Sequence, residues 1–233
     1  MIIKRHSVRA IKKRVSGALE STNDYQELLE SAEESLIKLI NSLFSFLYHK
    51  NPVIKWNAVV AMGGAVSQLA QKDMESARNI IRRLMWNLND ESGGIGWGSA
   101  EAMGEILAGN KSLSKEYSAV LLSYGREDGN YQEHELMQRG VLWGIARLCR
   151  AWPEFVSVDT PGHIMPYLES GDAAVRGLAA EISGLLHNED AMPVLEALTA
   201  DSSEIELFLN NSHVVTTVKE QAEKALKKIM EKR

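Results

Sequence analysis

Residues 175–184 read Val175-Arg176-Gly177-Leu178-Ala179-Ala180-Glu181-Ile182-Ser183-Gly184, and related segments recur elsewhere in the 233-residue chain. The five copies begin at Ile54, Ile95, Met137, Val175 and Val218, so they are spaced by 38 to 43 residues. Within each copy, apolar residues recur three and four positions apart, which is typical of the buried face of an α-helix. A helical unit repeated at this interval predicts stacked helix pairs rather than a globule around one pocket.

A more variable segment precedes each later copy and is predicted to form the first helix of a pair. These segments span residues 77–88, 115–124, 163–169 and 191–200. We find no alternating strand pattern, so we predict an all-α, right-handed α-solenoid of about five helical hairpins, preceded by N-terminal helices. Residues 1–50 are predicted to form a basic segment and a capping helix that starts at Ser21 or Thr22. Residues 51–233 are predicted to form one continuous array.

Two copies resemble the second helix of HEAT repeats, whose pattern is roughly V-R-x-x-A-A-x-A-L-G-x-I. Residues 175–186 and 218–229 match this pattern, and Pro166 and Pro193 resemble the proline of the first HEAT helix. The resemblance covers roughly residues 50–233 and extends to HEAT-like repeats of the bilin-lyase (PBS-lyase) type. It implies the solenoid fold. Such arrays serve mostly as binding scaffolds, so it also implies a non-catalytic protein that binds a protein or peptide partner.

One stripe of each repeated helix is predicted to line a concave groove. Positions 2, 6 and 10 of each copy, counted from zero, share one side of the helix, and inner helices of a curved array line its concave surface. Trp and Arg are enriched at binding hot spots. The predicted partner-binding residues on this stripe are Trp56, Trp97, Glu101, Glu105, Arg139, Trp143 and Arg147.

These stripe residues also have purely structural interpretations. The three tryptophans could fill space beside glycine-rich neighbours. Glu101 or Glu105 could pair with Arg139 or Arg147 in a ladder of ion pairs between adjacent repeats. The sequence leaves both interpretations open.

A long segment between two predicted helices, residues 124–135, interrupts the rhythm of the repeat. Long loops of solenoids lie on one face and often contribute to recognition. The predicted partner contacts in this loop are Tyr124, Arg126, Tyr131 and His134, with self-packing and capping as the alternative. The loop also holds several acids, but the spacing of a calcium loop or a zinc site is absent, so no metal site is predicted. A small-molecule site beside this loop is a third possibility.

The net charge of −5 is unevenly distributed along the chain. The first fifteen residues have six positive charges and no acid, which leaves −11 for the remainder. Because phosphate backbones require clustered Lys and Arg, the acidic repeat body disfavours a nucleic-acid partner. The alternative to the scaffold is a nucleic-acid binder that resembles HEAT-like DNA glycosylases. It requires a positive track built from Lys55, Arg139, Arg147 and the N-terminal segment.

Other features of the sequence argue against catalysis and against a membrane span. No residue spacing places a nucleophile beside a base, so neither a catalytic set nor a cofactor is predicted. Residues 93–98 are glycine-rich but lack phosphate-loop spacing, which favours a turn that starts a close-packed helix. The single cysteine, Cys149, is predicted to be a buried apolar residue. No window approaches the ~20 apolar residues of a membrane span, and the basic start lacks a following apolar stretch, so a cytoplasmic location is predicted.

Overall fold

The computed structural model describes residues 8–21, 26–30, 36–90, 96–209 and 211–231. The chain divides into two compact units, Met1–Asn110 and Lys111–Arg233. Thr22, one of the two predicted helix starts, lies outside the described residues. So do Ile95, the first residue of the second copy, and the part of the glycine-rich stretch at residues 93–95. Ser21, the other predicted start, is instead the last residue of a helix.

The first unit contains six α-helices within the part of the chain that the structure describes. They are α1 (Val8–Ser21), α2 (Gln26–Glu30), α3 (Leu36–Leu43), α4 (Pro52–Lys72), α5 (Met74–Leu88) and α6 (Ser99–Gly109), with a 3₁₀ turn at Phe44–Phe46.

Helix α4 is the centre of this unit and packs against α3, α5 and α6. It begins where the side chain of Asn51 accepts the Val53 N–H, with Pro52 in the first turn, where its missing N–H costs nothing. Asp73 ends α4 and also starts α5, because its backbone N–H donates to Leu69 and its carboxylate accepts the Ser76 N–H.

A glycine sets the close approach of α4 to α6. A Cβ on Gly63 would lie 2.6 Å from Cγ of Glu105 and 3.2 Å from the backbone carbonyl of that residue. Gly184 has the same role in the second unit, where a Cβ would lie 2.7 Å from the Cα of Ala225. Small residues at this position of the repeat therefore let neighbouring second helices touch.

The second unit holds six more α-helices among the residues described and one β-hairpin. These elements are α7 (Lys111–Ser123), α8 (Glu135–Ala151), α9 (Thr160–Ile164), α10 (Ala173–Leu185), α11 (Met192–Leu198), β1 (Glu204–Leu209), β2 (Ser212–Thr217) and α12 (Val218–Glu231). Short 3₁₀ segments lie at Pro153–Phe155, Met165–Glu169 and Glu189–Ala191. Helix α10 is central and packs against α8 and α12.

The hairpin corrects the prediction that the chain contains no strand. Strands β1 and β2 are antiparallel, with Leu209 opposite Ser212 and Glu204 opposite Thr217. The alternation of buried and exposed residues in β1 spans only a few positions between two strong helical patterns, so it was overlooked. The β-branched residues of β2 and the left-handed backbone of Asn211, at φ 60°, favour this hairpin.

None of the helices among the described residues combines the length and the apolar character required to span a bilayer.

Candidate functional site

In the first unit, Trp56 and Glu101 from the predicted groove are joined through a lysine. Nζ of Lys55 lies 2.7 Å from Oε1 of Glu101 and 4.8 Å from the centroid of the Trp56 ring. The Glu101 carboxylate is buried, whereas Trp56 is half-buried. This ion pair connects α4 to α6, and it reduces what Glu101 can offer to a partner.

Trp97 is the well-exposed groove residue of this unit, with 45% of its surface accessible. It precedes Gly98, whose backbone has φ 77°. A side chain on Gly98 would overlap the carbonyl oxygen of Leu47, so only glycine permits this approach at the start of α6. The remaining groove residue of the unit, Glu105, is half-buried beneath Gly63.

Trp86 is an exposed aromatic residue that the sequence analysis missed, with 72% of its surface accessible. The buried stripe of α5 consists of Ala77, Ile80, Ile81, Leu84 and Leu88. Trp86 lies outside that buried stripe, and this position on the helix indicates that its indole faces solvent.

In the second unit, Trp143 is buried, with 5% of its surface accessible. Its Nε1 donates a 2.6 Å hydrogen bond to the carbonyl oxygen of Phe208 in β1, and the two rings lie 6.4 Å apart at a tilt of 46°. The prediction that Trp143 offers its ring to a groove partner is therefore corrected. Of the two interpretations, the structure supports packing for this residue.

Arg139 is held by the buried carboxylate of Asp172. Its Nε lies 3.0 Å from both carboxylate oxygens, and Nη2 donates to Oδ2. The same carboxylate accepts the Val175 N–H at the start of α10. Burial alone would raise the pKa of Asp172, but the hydrogen bonds from Arg139 and Val175 outweigh burial and lower it. Arg147, about two turns further along α8, is half-buried.

Ion pairs do link neighbouring repeats, but the partners of Glu101 and Arg139 differ from those predicted. The prediction joined Glu101 or Glu105 to Arg139 or Arg147, whereas the structure pairs Glu101 with Lys55 and Arg139 with Asp172. Sequence analysis missed two further pairs of the second unit. They are Arg150–Glu181 and Arg176–Asp201.

The long loop before α8 is held by its own residues and by α8. Tyr124 has only 1% of its surface accessible, so the prediction that it contacts a partner is corrected. Nδ1 of His134 accepts the Leu136 N–H and caps α8. Gln138, which sequence analysis overlooked, donates to the Tyr131 hydroxyl at 3.1 Å and to the Gln132 carbonyl at 3.1 Å.

Arg126 is paired at the outer side of this loop. Its guanidinium donates to Asp128 at 3.0 and 2.9 Å and lies 3.4 Å from Asp159. The hydrogen bond from Arg126 lowers the pKa of Asp128. Arg126 therefore neutralises acids of its own unit.

A cavity of about 480 Å³ lies between this loop and the segment that follows α8. Its lining is rich in acids and aromatic rings, and includes Glu127, Asp128, Tyr131, Glu133, Glu135, His163 and Tyr167. The Tyr167 hydroxyl donates to the Gly125 carbonyl at 3.1 Å, and burial raises its pKa, so the phenol remains neutral. Within the described parts of the chain, no three His, Cys, Asp or Glu residues are placed to hold a metal ion.

Cys149 lies late in α8 and is buried. Burial raises the pKa of its thiol to about 12, so the thiolate is scarce at neutral pH. The prediction of an apolar, unreactive cysteine agrees with this environment.

Comparisons with known proteins agree on the fold. No protein-family model matches the chain. An uncharacterised protein of Archaeoglobus fulgidus is 28% identical over 181 residues, which cover 76% of this chain and 89% of that protein.

Two solved structures superpose on most of the chain. An engineered protein has a TM-score of 0.59 at 15% identity and covers 98% of this chain and 93% of its own. A designed armadillo repeat protein, solved in complex with a (KR)4 peptide, has a TM-score of 0.59 at 16% identity, with coverages of 95% and 91%. At these identities the similarity shows the fold alone. The predicted helical-repeat architecture is confirmed, and the chain has the helical-repeat fold of designed armadillo repeat proteins.

Proposed function

We propose that this chain is a non-catalytic scaffold that binds a protein or peptide partner, and that the acidic cavity of the second unit receives basic side chains of that partner. The observation that supports this proposal most is the lining of the cavity, where four carboxylates, one of them paired with Arg126, lie beside two tyrosine rings. A volume of about 480 Å³ is within the ~300–1,000 Å³ typical of ligand sites.

The chemistry of the cavity suits lysine or arginine side chains. Carboxylates form charge-assisted hydrogen bonds with ammonium and guanidinium groups, and tyrosine rings pack against the apolar stems and cationic heads of these side chains. The negative charge of the repeat body would also speed the approach of a basic segment. The designed armadillo protein of the same fold binds a (KR)4 peptide, which supports a basic segment as the first ligand to test.

Some residues of the predicted groove are retained in this proposal, and they are considered separately for each unit. In the first unit, Trp97 offers an exposed indole and Trp56 a half-buried one. In the second unit, Arg139 and Arg147 remain candidate contacts, and Arg139 is already bound to Asp172. We propose these four residues as additional contacts of the partner.

The nucleic-acid alternative has less support. Two cations of the positive track that it requires, Lys55 and Arg139, are paired with the buried carboxylates Glu101 and Asp172. Paired cations contribute little to the release of counterions that stabilises protein–nucleic acid complexes.

The test is the binding of a fluorescein-labelled peptide of four Lys-Arg repeats, measured by fluorescence anisotropy at low and high salt. The cavity variant combines Glu127→Gln, Glu133→Gln and Glu135→Gln. Its matched control combines Glu196→Gln, Glu223→Gln and Glu231→Gln, three exposed acids outside the cavity lining. We expect the affinity to fall at least about tenfold in the cavity variant and less than about twofold in the control.

Two results would contradict the proposed site. Equal losses in both triple variants would mean that only overall charge attracts the peptide. A single-stranded oligonucleotide that binds the wild-type protein more tightly than the peptide does would instead favour the nucleic-acid alternative.

A further inference from the structure

The two long edges of the β-hairpin have different surroundings. Strand β1 lies against α10, where Ile205 fills the space left by Gly177, and its Phe208 carbonyl receives the indole N–H of Trp143. Within the described residues, the sheet has two strands, so β2 pairs with β1 along one edge and with no strand along the other. The outer edge of β2 therefore differs from that of β1, which α8 covers at Phe208.

The pairing shows which backbone groups of β2 point away from β1. The Phe208 carbonyl points towards Trp143, so Phe208 and its partner His213 form a non-hydrogen-bonded pair of the ladder. Because such pairs alternate with hydrogen-bonded pairs, the N–H and C=O groups of His213 and Val215 and the N–H of Thr217 point outwards. The Thr217 carbonyl instead begins α12, and the Thr217 hydroxyl accepts the Glu220 N–H. Three backbone donors and two backbone acceptors of β2 thus point towards an incoming strand.

The side chains of β2 do not protect this edge. The strand reads Ser212-His213-Val214-Val215-Thr216-Thr217, without proline, lysine or a carboxylate, and four of its six residues are β-branched. Natural edge strands are usually protected by charges, prolines or bulges. Val215, at the middle of the outward-pointing set, has 65% of its surface accessible.

We propose that β2 pairs antiparallel with β2 of a second copy of this chain, so that the two hairpins form a four-stranded sheet. A two-fold axis would place Val215 opposite Val215 of the second copy, and His213 opposite Thr217. The three outward residues of each strand would form about four hydrogen bonds between the copies, two between the Val215 residues and two from the Thr217 N–H groups to the His213 carbonyls. The proposal is independent of the peptide-binding function.

Charge favours a second copy over a charged segment as the occupant. Strand β2 has no lysine, arginine or carboxylate to pair with a charged strand, and Nδ1 of its His213 already lies 3.0 Å from Oε1 of Glu206 in β1, whereas β2 itself is rich in residues that favour strands. The exposed acids of the hairpin, Glu204 and Glu206, lie on β1. In the paired sheet, the two β1 strands would be three strand spacings apart, roughly 14 Å. That distance exceeds the Debye length of about 8 Å at physiological ionic strength, so salt would screen their repulsion.

Light scattering after size exclusion, together with sedimentation velocity, tests the proposal on the full chain. We expect a mass of twice 25.9 kDa that falls to that of the monomer upon dilution. Val215→Pro removes one outward N–H without removing a bond to β1, and Val215→Lys places two like charges opposite each other. Both variants should be monomeric. Met230→Lys adds the same charge at an exposed position of α12 and should leave the dimer intact.

A disulfide test checks the register of the pairing. Hydrogen-bonded partners of an antiparallel ladder have Cα atoms about 5.5 Å apart, which is within the range that a disulfide spans. In a Cys149→Ala background, Val215→Cys should therefore form a covalent dimer on mild oxidation, and the exposed Val158→Cys should not. A monomer at about 100 μM, a dimer that survives both Val215→Pro and Val215→Lys, or a dimer that does not cross-link at position 215 would each overturn the proposal.

Discussion

The indole Nε1 of Trp143 lies 2.6 Å from the carbonyl oxygen of Phe208, a residue 65 positions later in the chain. This bond joins the middle of α8 to the hairpin between α11 and α12. It satisfies an outward-facing carbonyl of β1 and removes the indole from solvent.

The Trp143–Phe208 bond can be tested with Trp143→Phe. Phenylalanine keeps most of the apolar contact but leaves the buried Phe208 carbonyl without this donor, which costs about 1–3 kcal/mol. Urea denaturation should show that loss in the free energy of unfolding. Trp86→Phe, at an exposed indole, is the matched control and should change stability by less than about 0.5 kcal/mol. Equal effects of the two substitutions would contradict a structural role for the Trp143 N–H.

Lys55→Met should destabilise the first unit because it leaves the buried Glu101 carboxylate without its cation. Since Lys55 is partly exposed, we expect a cost of up to about 3 kcal/mol. Adding Glu101→Gln should recover part of that loss, because no unpaired charge then remains. A double-mutant cycle in chemical denaturation measures this coupling. A coupling energy near zero would mean that the ion pair does not join α4 to α6 energetically.

The acid dependence of stability should change in Asp172→Asn. The pKa of Asp172 is lowered in the folded chain, so its contribution to stability is complete above the pKa of the unfolded chain, about 3.9. That contribution is lost as the pH falls through the lower, folded-state value. The difference in the free energy of unfolding between wild type and variant should therefore be largest near neutral pH and shrink below about pH 4. Denaturation from pH 7 to 3 checks this, and a constant difference would contradict it.

Gly184→Ala and Gly17→Ala should have opposite effects on the stability of the fold. Alanine favours a helix over glycine by up to about 1 kcal/mol. At Gly184 the new methyl group would lie 2.7 Å from the Cα of Ala225, so α10 and α12 must separate, at a cost of about 1–3 kcal/mol. At Gly17, in α1, an added Cβ would meet no atom within 4 Å apart from the chain neighbours and the nearby backbone of its own helix, so alanine should stabilise. Thermal unfolding distinguishes these outcomes, and a stabilising Gly184→Ala would contradict the close packing of α10 on α12.

The helical repeats could be predicted because their information is local. Apolar residues three and four apart, with a small residue where helices touch, identified α4, α8, α10 and α12 directly. The hairpin could not be identified in this way, because an alternation of only four residues in β1, beside strong helical patterns, is too short a signal. Because the hairpin was not predicted, the burial of Trp143 was not predicted either, since it depends on a strand that starts 61 positions later.

The location of the candidate site in the sequence could be predicted, but the residues that form it could not. The length of the 124–135 segment identified the loop correctly as unusual. The cavity, however, combines that loop with His163 and Tyr167, which only the packing of the second unit brings to it. Ion-pair partners were equally hard to assign, because Lys55 and Asp172 lie outside the stripe from which the pairs were drawn.

Asp73 has a consequence for how this chain can vary in length. The residue closes one helix with its backbone and opens the next with its side chain, so α4 and α5 share a junction without spare residues. An inserted residue there would separate the two capping functions and rotate one helix face away from its core. Asn211, in the turn of the hairpin, does not join two helices in this way, and residues added there would extend into solvent. Insertions, affinity tags or new chain ends should therefore be tolerated at the hairpin turn and rejected at Asp73, which a protease-resistance screen of insertion variants can measure.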